Sequence, residues 1–165
     1  APVNGMAVDD INGDGNPDVL MIGNDYGNEV FSGRYDAMTG LVLLGDGKGG
    51  FEPVRSLESG FVVPGDAKAM AVLTLADGKK TYLSTQNRNA LKIHAAVNAN
   101  TGKAFKVPTG FHTVILELDN GKTHKIEIFN RSGFLSNSGG IISLPSNLKS
   151  IKGIDYKGGV MDLEF

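Results

Sequence analysis

The chain has 165 residues, enough for one domain or two small ones, a formal net charge of −2, and neither cysteine nor tryptophan. A disulfide framework, a thiolate zinc site and a cysteine nucleophile are therefore excluded, and the scattered Lys and Arg residues give no electrostatic footprint for nucleic acid or an anionic membrane. Glycine supplies 23 residues, about twice its usual share of roughly 7%, which marks an ordered, turn-rich chain.

No apolar run reaches the roughly 18 residues of a membrane span, so direct membrane insertion is not expected. Ala1-Pro2-Val3 opens into structured sequence without a signal peptide, as in a mature or trimmed chain. Short apolar runs interrupted about every 8–12 residues by Gly, Asn or Asp predict an all-β fold and no long helix. In chain order the predicted strands are Met6 to Ile11, Val19 to Gly23, Leu41 to Leu44, Ala69 to Leu75, Thr81 to Thr85, Leu91 to Val97, Phe111 to Leu118, Lys122 to Phe129, Gly140 to Ser143, Ile151 to Tyr156 and Val160 to Phe165.

An internal repeat narrows the architecture. Met6-Ala7-Val8 recurs 64 positions later as Met70-Ala71-Val72, and each copy runs through an Asp-Gly turn, Asp14-Gly15 or Asp77-Gly78, into a second strand. After a one-residue deletion, Val19-Leu20 aligns with Tyr82-Leu83 and Asn24 with Asn87. Each unit has the length of one four-stranded propeller blade plus an insertion, and two fall short of the typical ring of about four to eight. The expected fold is a partial β-propeller of about two antiparallel blades, a piece of a larger protein, followed by a small C-terminal antiparallel β module. Asn98 to Lys106 is polar and reads as the linker between them, with the blades in 1–98 and the module in 99–165.

The hairpin after that linker predicts its own register. A two-residue Asn120-Gly121 turn would mix polar and apolar side chains on both faces. A three-residue Asp119-Asn120-Gly121 loop with left-handed Gly121 instead pairs Val114 with Ile126 and His112 with Ile128, and gathers Glu117, Lys125 and Glu127 on the opposite face.

The stretch from Asp9 to Asp18 carries the clearest chemistry. Counting from Asp10, oxygen-bearing side chains fall at positions 1, 3, 5 and 9 (Asp10, Asn12, Asp14, Asp18), with Gly15 at position 6. Hard oxygen donors at this spacing suit Ca²⁺, with Asn16 adding its backbone carbonyl and Asp18 one or both carboxylate oxygens. Three carboxylates gathered in one small turn repel one another without a cation. The ordinary alternative is that Asp, Asn and Gly cluster here because they favour turns. The flanks read as strands and Met21 stands where an EF-hand has its Glu, so this is a hairpin loop and not an EF-hand. In the second repeat Thr74, Ala76 and Thr81 replace the donors, and no metal is expected there.

These residues, Val8-Asp9-Asp10-Ile11-Asn12-Gly13-Asp14-Gly15-Asn16-Pro17-Asp18-Val19-Leu20, resemble the FG-GAP or VCBS repeat of integrin α-like propellers and bacterial surface proteins. Leu43-Leu44-Gly45-Asp46-Gly47-Lys48-Gly49-Gly50-Phe51 is similar to that repeat's other hallmark, a Gly-rich turn ending in an aromatic. More weakly, Asn130 to Ser138 and the later strand pair resemble the ASPIC/UnbV module that follows such repeats. The resemblance implies a calcium-stabilised propeller end and a C-terminal β module at an extracellular or bacterial cell surface, with no ligand specified.

Other motifs carry less. Gly45 to Gly50 lacks the following helix of a phosphate loop and reads as a turn with a buried Phe51. His94, His112 and His124 are dispersed, no Gly-x-Ser-x-Gly elbow occurs, and no carboxylate pair stands out, so no enzyme is expected. The Asn130-Arg131-Ser132 sequon has meaning only in a eukaryotic secretory setting. The insertion Asp25 to Thr39 is oddly aromatic, and Tyr26 and Tyr35 are its candidate recognition residues, unless the rings only cap the core. Together these features predict a non-catalytic calcium-binding module that recognises a protein or glycan in an adhesion-like setting. An accessory carbohydrate-binding module of a glycan-degrading system is the alternative. Unpaired edges of a partial propeller also invite an edge-strand homodimer.

Overall fold

A computed structural model describes residues 2–96, 103–129 and 140–165. The chain is all-β, and it divides into two compact units. One holds strands β1 to β7 except for the Thr74–Lys80 tip of a hairpin; the other holds that tip and strands β8 to β13.

In the first unit β1 (Val3–Asp9), β2 (Asp18–Gly23), β3 (Leu41–Gly45) and β4 (Phe51–Val54) form an antiparallel meander in chain order. A single helical turn, α1 (Ser56–Ser59), ends on left-handed Gly60. A second meander follows from β5 (Ala67–Thr74), β6 (Lys80–Gln86) and β7 (Lys92–Ala95). None of the sheets closes on itself, and two successive meanders make the partial propeller of about two blades expected from the repeat. The repeat is visible in the backbone too: β1 and β5 begin 64 residues apart, and Gly15 and Gly78 are both left-handed, with φ of +89° and +81°.

Strand alternation directs Ala7, Leu20, Ile22 and Val42 of the first sheet and Met70 and Tyr82 of the second into one core, completed by Phe61, Val63 and Ala67. Each fully buried aliphatic side chain such as Ile22 contributes about 1.5–3 kcal/mol. At one end of this core, buried Asn24 donates its amide to the carbonyls of Met38 and Gly65 and accepts the Met38 N–H.

In the second unit β9 (Phe111–Leu118) is flanked by β10 (Thr123–Glu127) and β12 (Leu148–Asp155), and β13 (Val160–Asp162) extends the sheet beyond β12. The short strands β8 (Ala104–Lys106) and β11 (Ile141–Ser143) pair separately. Val107, Val114, Leu116, Ile142, Leu144 and Ile151 form its core. The hairpin register is the one predicted: Val114 pairs with Ile126, the Ile128 N–H donates to His112, and Gly121 is left-handed at φ +77°.

Three expectations are corrected. The end of the predicted linker is strand, because Ala104–Lys106 finds a partner 37 residues downstream, in Ile141–Ser143. Phe51 is 51% exposed rather than buried, since it stands at the start of the outermost strand, opposite Gly45. The outermost strand itself, Phe51–Val54, lies outside the predicted set because Pro53 interrupts its pattern. Among the described residues, no helix is long and apolar enough to cross a membrane.

Candidate metal centre and recognition loop

The β1–β2 connection is wound around one carboxylate. Asp10 Oδ1 accepts the N–H groups of Gly13 (2.8 Å) and Asp14 (3.1 Å), and its Oδ2 accepts that of Gly15 (2.9 Å). Gly13 and Gly15 adopt φ of +80° and +89°, which only a residue without Cβ takes without strain, so the chain curls tightly enough to present these donors. Asn12 Oδ1 accepts the Asp14 N–H, while its amide donates to Asp14 Oδ2. The Asn16 N–H donated to Asp14 Oδ1 at 2.7 Å, aided by the Asn12 and Asn16 side chains against slight desolvation, holds the Asp14 carboxyl below the usual carboxylate range.

Asp18 behaves differently. It is fully buried, and it bridges two backbone groups that are distant in sequence: Oδ2 accepts the Ile11 N–H at 2.8 Å and Oδ1 the Gly45 N–H at 2.9 Å. Among the described residues, no group of three or more acidic or imidazole side chains is gathered at metal distance. The structure thus brings Asp10, Asn12, Asp14 and Asn16 into one hydrogen-bonded loop and gives Asp18 a bracing role between that loop and β3. Sequence reasoning assigned Asp18 only as a ligand; the signal it lacked was Gly45, where an added Cβ would fall on the Pro17 carbonyl.

In kind the donors suit a hard cation: all are oxygens, and an ionised carboxylate offers about four acceptor positions. Asp10 accepts three N–H groups and Asp18 two, while Asp14 accepts from the Asn16 N–H and from the Asn12 and Asn16 side chains. In the second repeat Asp77 forms an ion pair with Lys79 at 3.1 Å and accepts its N–H.

Asp9, which precedes the loop, was not singled out by its sequence. Its Oδ2 accepts the phenol of buried Tyr82 at 2.7 Å and so ties the start of the loop to the second sheet. Burial, reinforced by the negative charge of Asp9, pushes the Tyr82 phenol far above its ordinary value and keeps it a donor.

The aromatic insertion leaves from the opposite end of β2. Its base is closed by a bridge between Asp25 and Tyr35, and the Tyr26 N–H donates to Asp66. The Arg34 guanidinium lies 4.7 Å from the Tyr26 ring centroid and covers one of its faces. Tyr35 is exposed, and Val30 and Phe31 at the tip are almost wholly so. Only Phe61 of the nearby rings enters the core, where His94 meets it edge-on. Burial, with Lys92 nearby, lowers the His94 pKa, and its Nε2 accepts the Val62 N–H.

No family model matches the chain, and no curated protein is detectably similar to it. The Asn130 to Ser138 stretch that carries much of the ASPIC/UnbV resemblance, and the sequon within it, lie outside the described residues.

Proposed function

We propose that this protein is a non-catalytic, calcium-stabilised recognition module acting outside the cell or at a cell surface. The observation that carries the reading is the β1–β2 loop, in which Asp10, Asn12, Asp14, Asn16 and Asp18 place hard oxygen donors along nine residues without an intervening basic side chain. In this reading the bound ion takes up acceptor positions that the loop's own N–H groups leave and holds the turn between the first two strands of the sheet. The FG-GAP/VCBS-like order of loop and Gly-rich turn supports the same reading: the Gly45 N–H donates to Asp18, so the two hallmarks touch.

Recognition is assigned to the Asp25 to Thr39 insertion. Tyr35, Phe31 and Val30 are exposed there, and the Asn24 side chain and the Asp25–Tyr35 bridge hold its base. The exposed Tyr35 ring also favours the second reading, a carbohydrate-binding module, since such a ring stacks on the apolar face of a sugar. A glycan screen separates the two: sugar binding that is lost in Tyr26→Ala and Tyr35→Ala supports the carbohydrate reading, and no sugar binding leaves a protein ligand.

The metal is tested by melting the chain in EGTA and in millimolar Ca²⁺, alongside Asp14→Ala. At a calcium concentration 100 times Kd the ion adds about 2.7 kcal/mol, which raises the melting temperature by roughly 5–10 °C. That rise is absent in the variant. A wild-type melt that does not respond to calcium refutes the metal reading.

A further inference from the structure

The first sheet is apolar on both faces, and the core accounts for one of them. Cross-strand pairing places Ala7, Leu20 and Val42 on the core side. The alternate residues are also paired with one another, Met6 with Met21 and Leu41, and Val8 with Val19 and Leu43, and they point away from that core. On this second face Val19 is buried and Met21, Leu41 and Leu43 are half-buried, but at β1 it is open to solvent, Val8 being 62% and Met6 49% exposed. An exposed apolar strip of this kind marks an interaction site.

The repeat identifies what covers a face of this kind. Met6 and Val8 correspond to Met70 and Val72, and Val19 and Met21 to Tyr82 and Ser84. In the second sheet that same face is buried: Met70 and Tyr82 belong to one core cluster with Leu20, Ile22 and Val42 of the first, and Val72 is packed against that cluster. Conversely, the core-facing Ala7 and Leu20 of the first sheet correspond to Ala71 and Leu83, which in the second sheet lie on the face turned away from the core. Leu83 pairs there with Ile93, which is 63% exposed, and Leu73 is exposed on the same side. One seated joint, a Met/Val face on an Ala/Leu face, therefore exists inside the chain. Among the described residues, Met6 and Val8 on the first sheet and Leu73 and Ile93 on the second leave an exposed strip of each kind outside that joint.

We propose that the Met6/Val8 face of one copy stacks on the Ala71/Leu83/Ile93 face of a second copy, so that the protein associates with itself head to tail. The joint repeats between molecules the packing that already joins the two sheets within one. Because the two faces differ, the interface is heterologous, and it propagates into larger assemblies unless the rotation closes a ring. This differs from lateral pairing of edge strands, since no backbone hydrogen bonds are needed.

The test is sedimentation equilibrium of the full chain from low micromolar to near-millimolar concentration, with Val8→Lys and Ile93→Lys measured singly and as an equimolar mixture. Wild type is expected to gain mass with concentration. Each variant alone is expected to associate at least about tenfold more weakly, because a charge is then desolvated in an apolar joint. The mixture is expected to form a dimer and nothing larger: Val8→Lys keeps the intact second-sheet face and Ile93→Lys the intact first-sheet face, while the two altered faces carry like charges and repel. Wild type that stays monomeric throughout, association unchanged by Val8→Lys, or a mixture that does not dimerise each overturns the proposal. Both positions are more than half exposed, and a thermal melt checks folding; Met6→Lys serves in place of Val8→Lys if that variant melts abnormally.

Discussion

Asn24 allows the sharpest test of how the recognition loop is held. Its side chain donates to the carbonyls of Met38 at 2.6 Å and Gly65 at 2.8 Å and accepts the Met38 N–H at 2.9 Å, so it joins segments 14 and 41 residues away. It is buried and takes φ of +87°, a conformation that Asn tolerates and Ala does not. Asn24→Ala removes the partners of three backbone groups. At about 1–3 kcal/mol for each group left unsatisfied, with partial rehydration of the carbonyls, the loss is roughly 3–5 kcal/mol. The left-handed backbone adds about 1 kcal/mol. Asn24→Gly loses the same bonds without that strain and is expected to recover about 1 kcal/mol of the difference. Urea unfolding followed by circular dichroism, with linear extrapolation, measures both variants. A loss below about 1 kcal/mol in Asn24→Ala would refute the anchoring argument. Equal losses in the two variants would refute the strain component.

Three further outcomes follow from other contacts. Tyr82→Phe keeps the buried ring but deletes the bond to Asp9, and should cost about 1.5–3 kcal/mol in the same unfolding assay, as for a hydrogen bond to a charged group. Gly45→Ala places a Cβ on the Pro17 carbonyl and crowds the N–H donated to Asp18, so overpacking should cost about 1–3 kcal/mol and weaken any calcium response of the melt. For Asp66, burial acts to raise the pKa, but the Lys68 ammonium at 2.6 Å, the Asn87 amide and the Tyr26 N–H outweigh it and hold the carboxyl below its ordinary value. Its stabilisation is complete above about pH 4 and is lost as pH falls through the lowered folded value. Melts between pH 7 and pH 3 should therefore show a steeper acid decline in wild type than in Asp66→Asn.

Legibility in the sequence followed the range of the interactions. The Phe111–Glu127 hairpin could be read to the residue because only one loop length separates Glu117, Lys125 and Glu127 from Val114 and Ile126. The repeat was legible because both copies keep the Met-Ala-Val triplet and the left-handed Asp-Gly turn. The spacing of Asp18 suggests a ligand, but its bracing contact was not legible, because its partner Gly45 lies 27 residues away on another strand and leaves no local trace. The same holds for Asp9, whose phenol partner is 73 residues downstream. Strand β8 looked like linker because three residues with a remote partner carry no periodicity of their own.

Pro53 sits in the outermost strand of the first sheet, opposite Leu43, and beside it Glu52 carries a charge. A proline has no N–H to offer an incoming strand, and a charge on an edge discourages unrelated chains from docking there. That rim is thereby defended against the indiscriminate β-zippering that leads to amyloid, even though the sheet is apolar on both sides. Replacing Pro53 with a β-branched residue is expected to restore an N–H to this margin and so to make it a better template for an added strand.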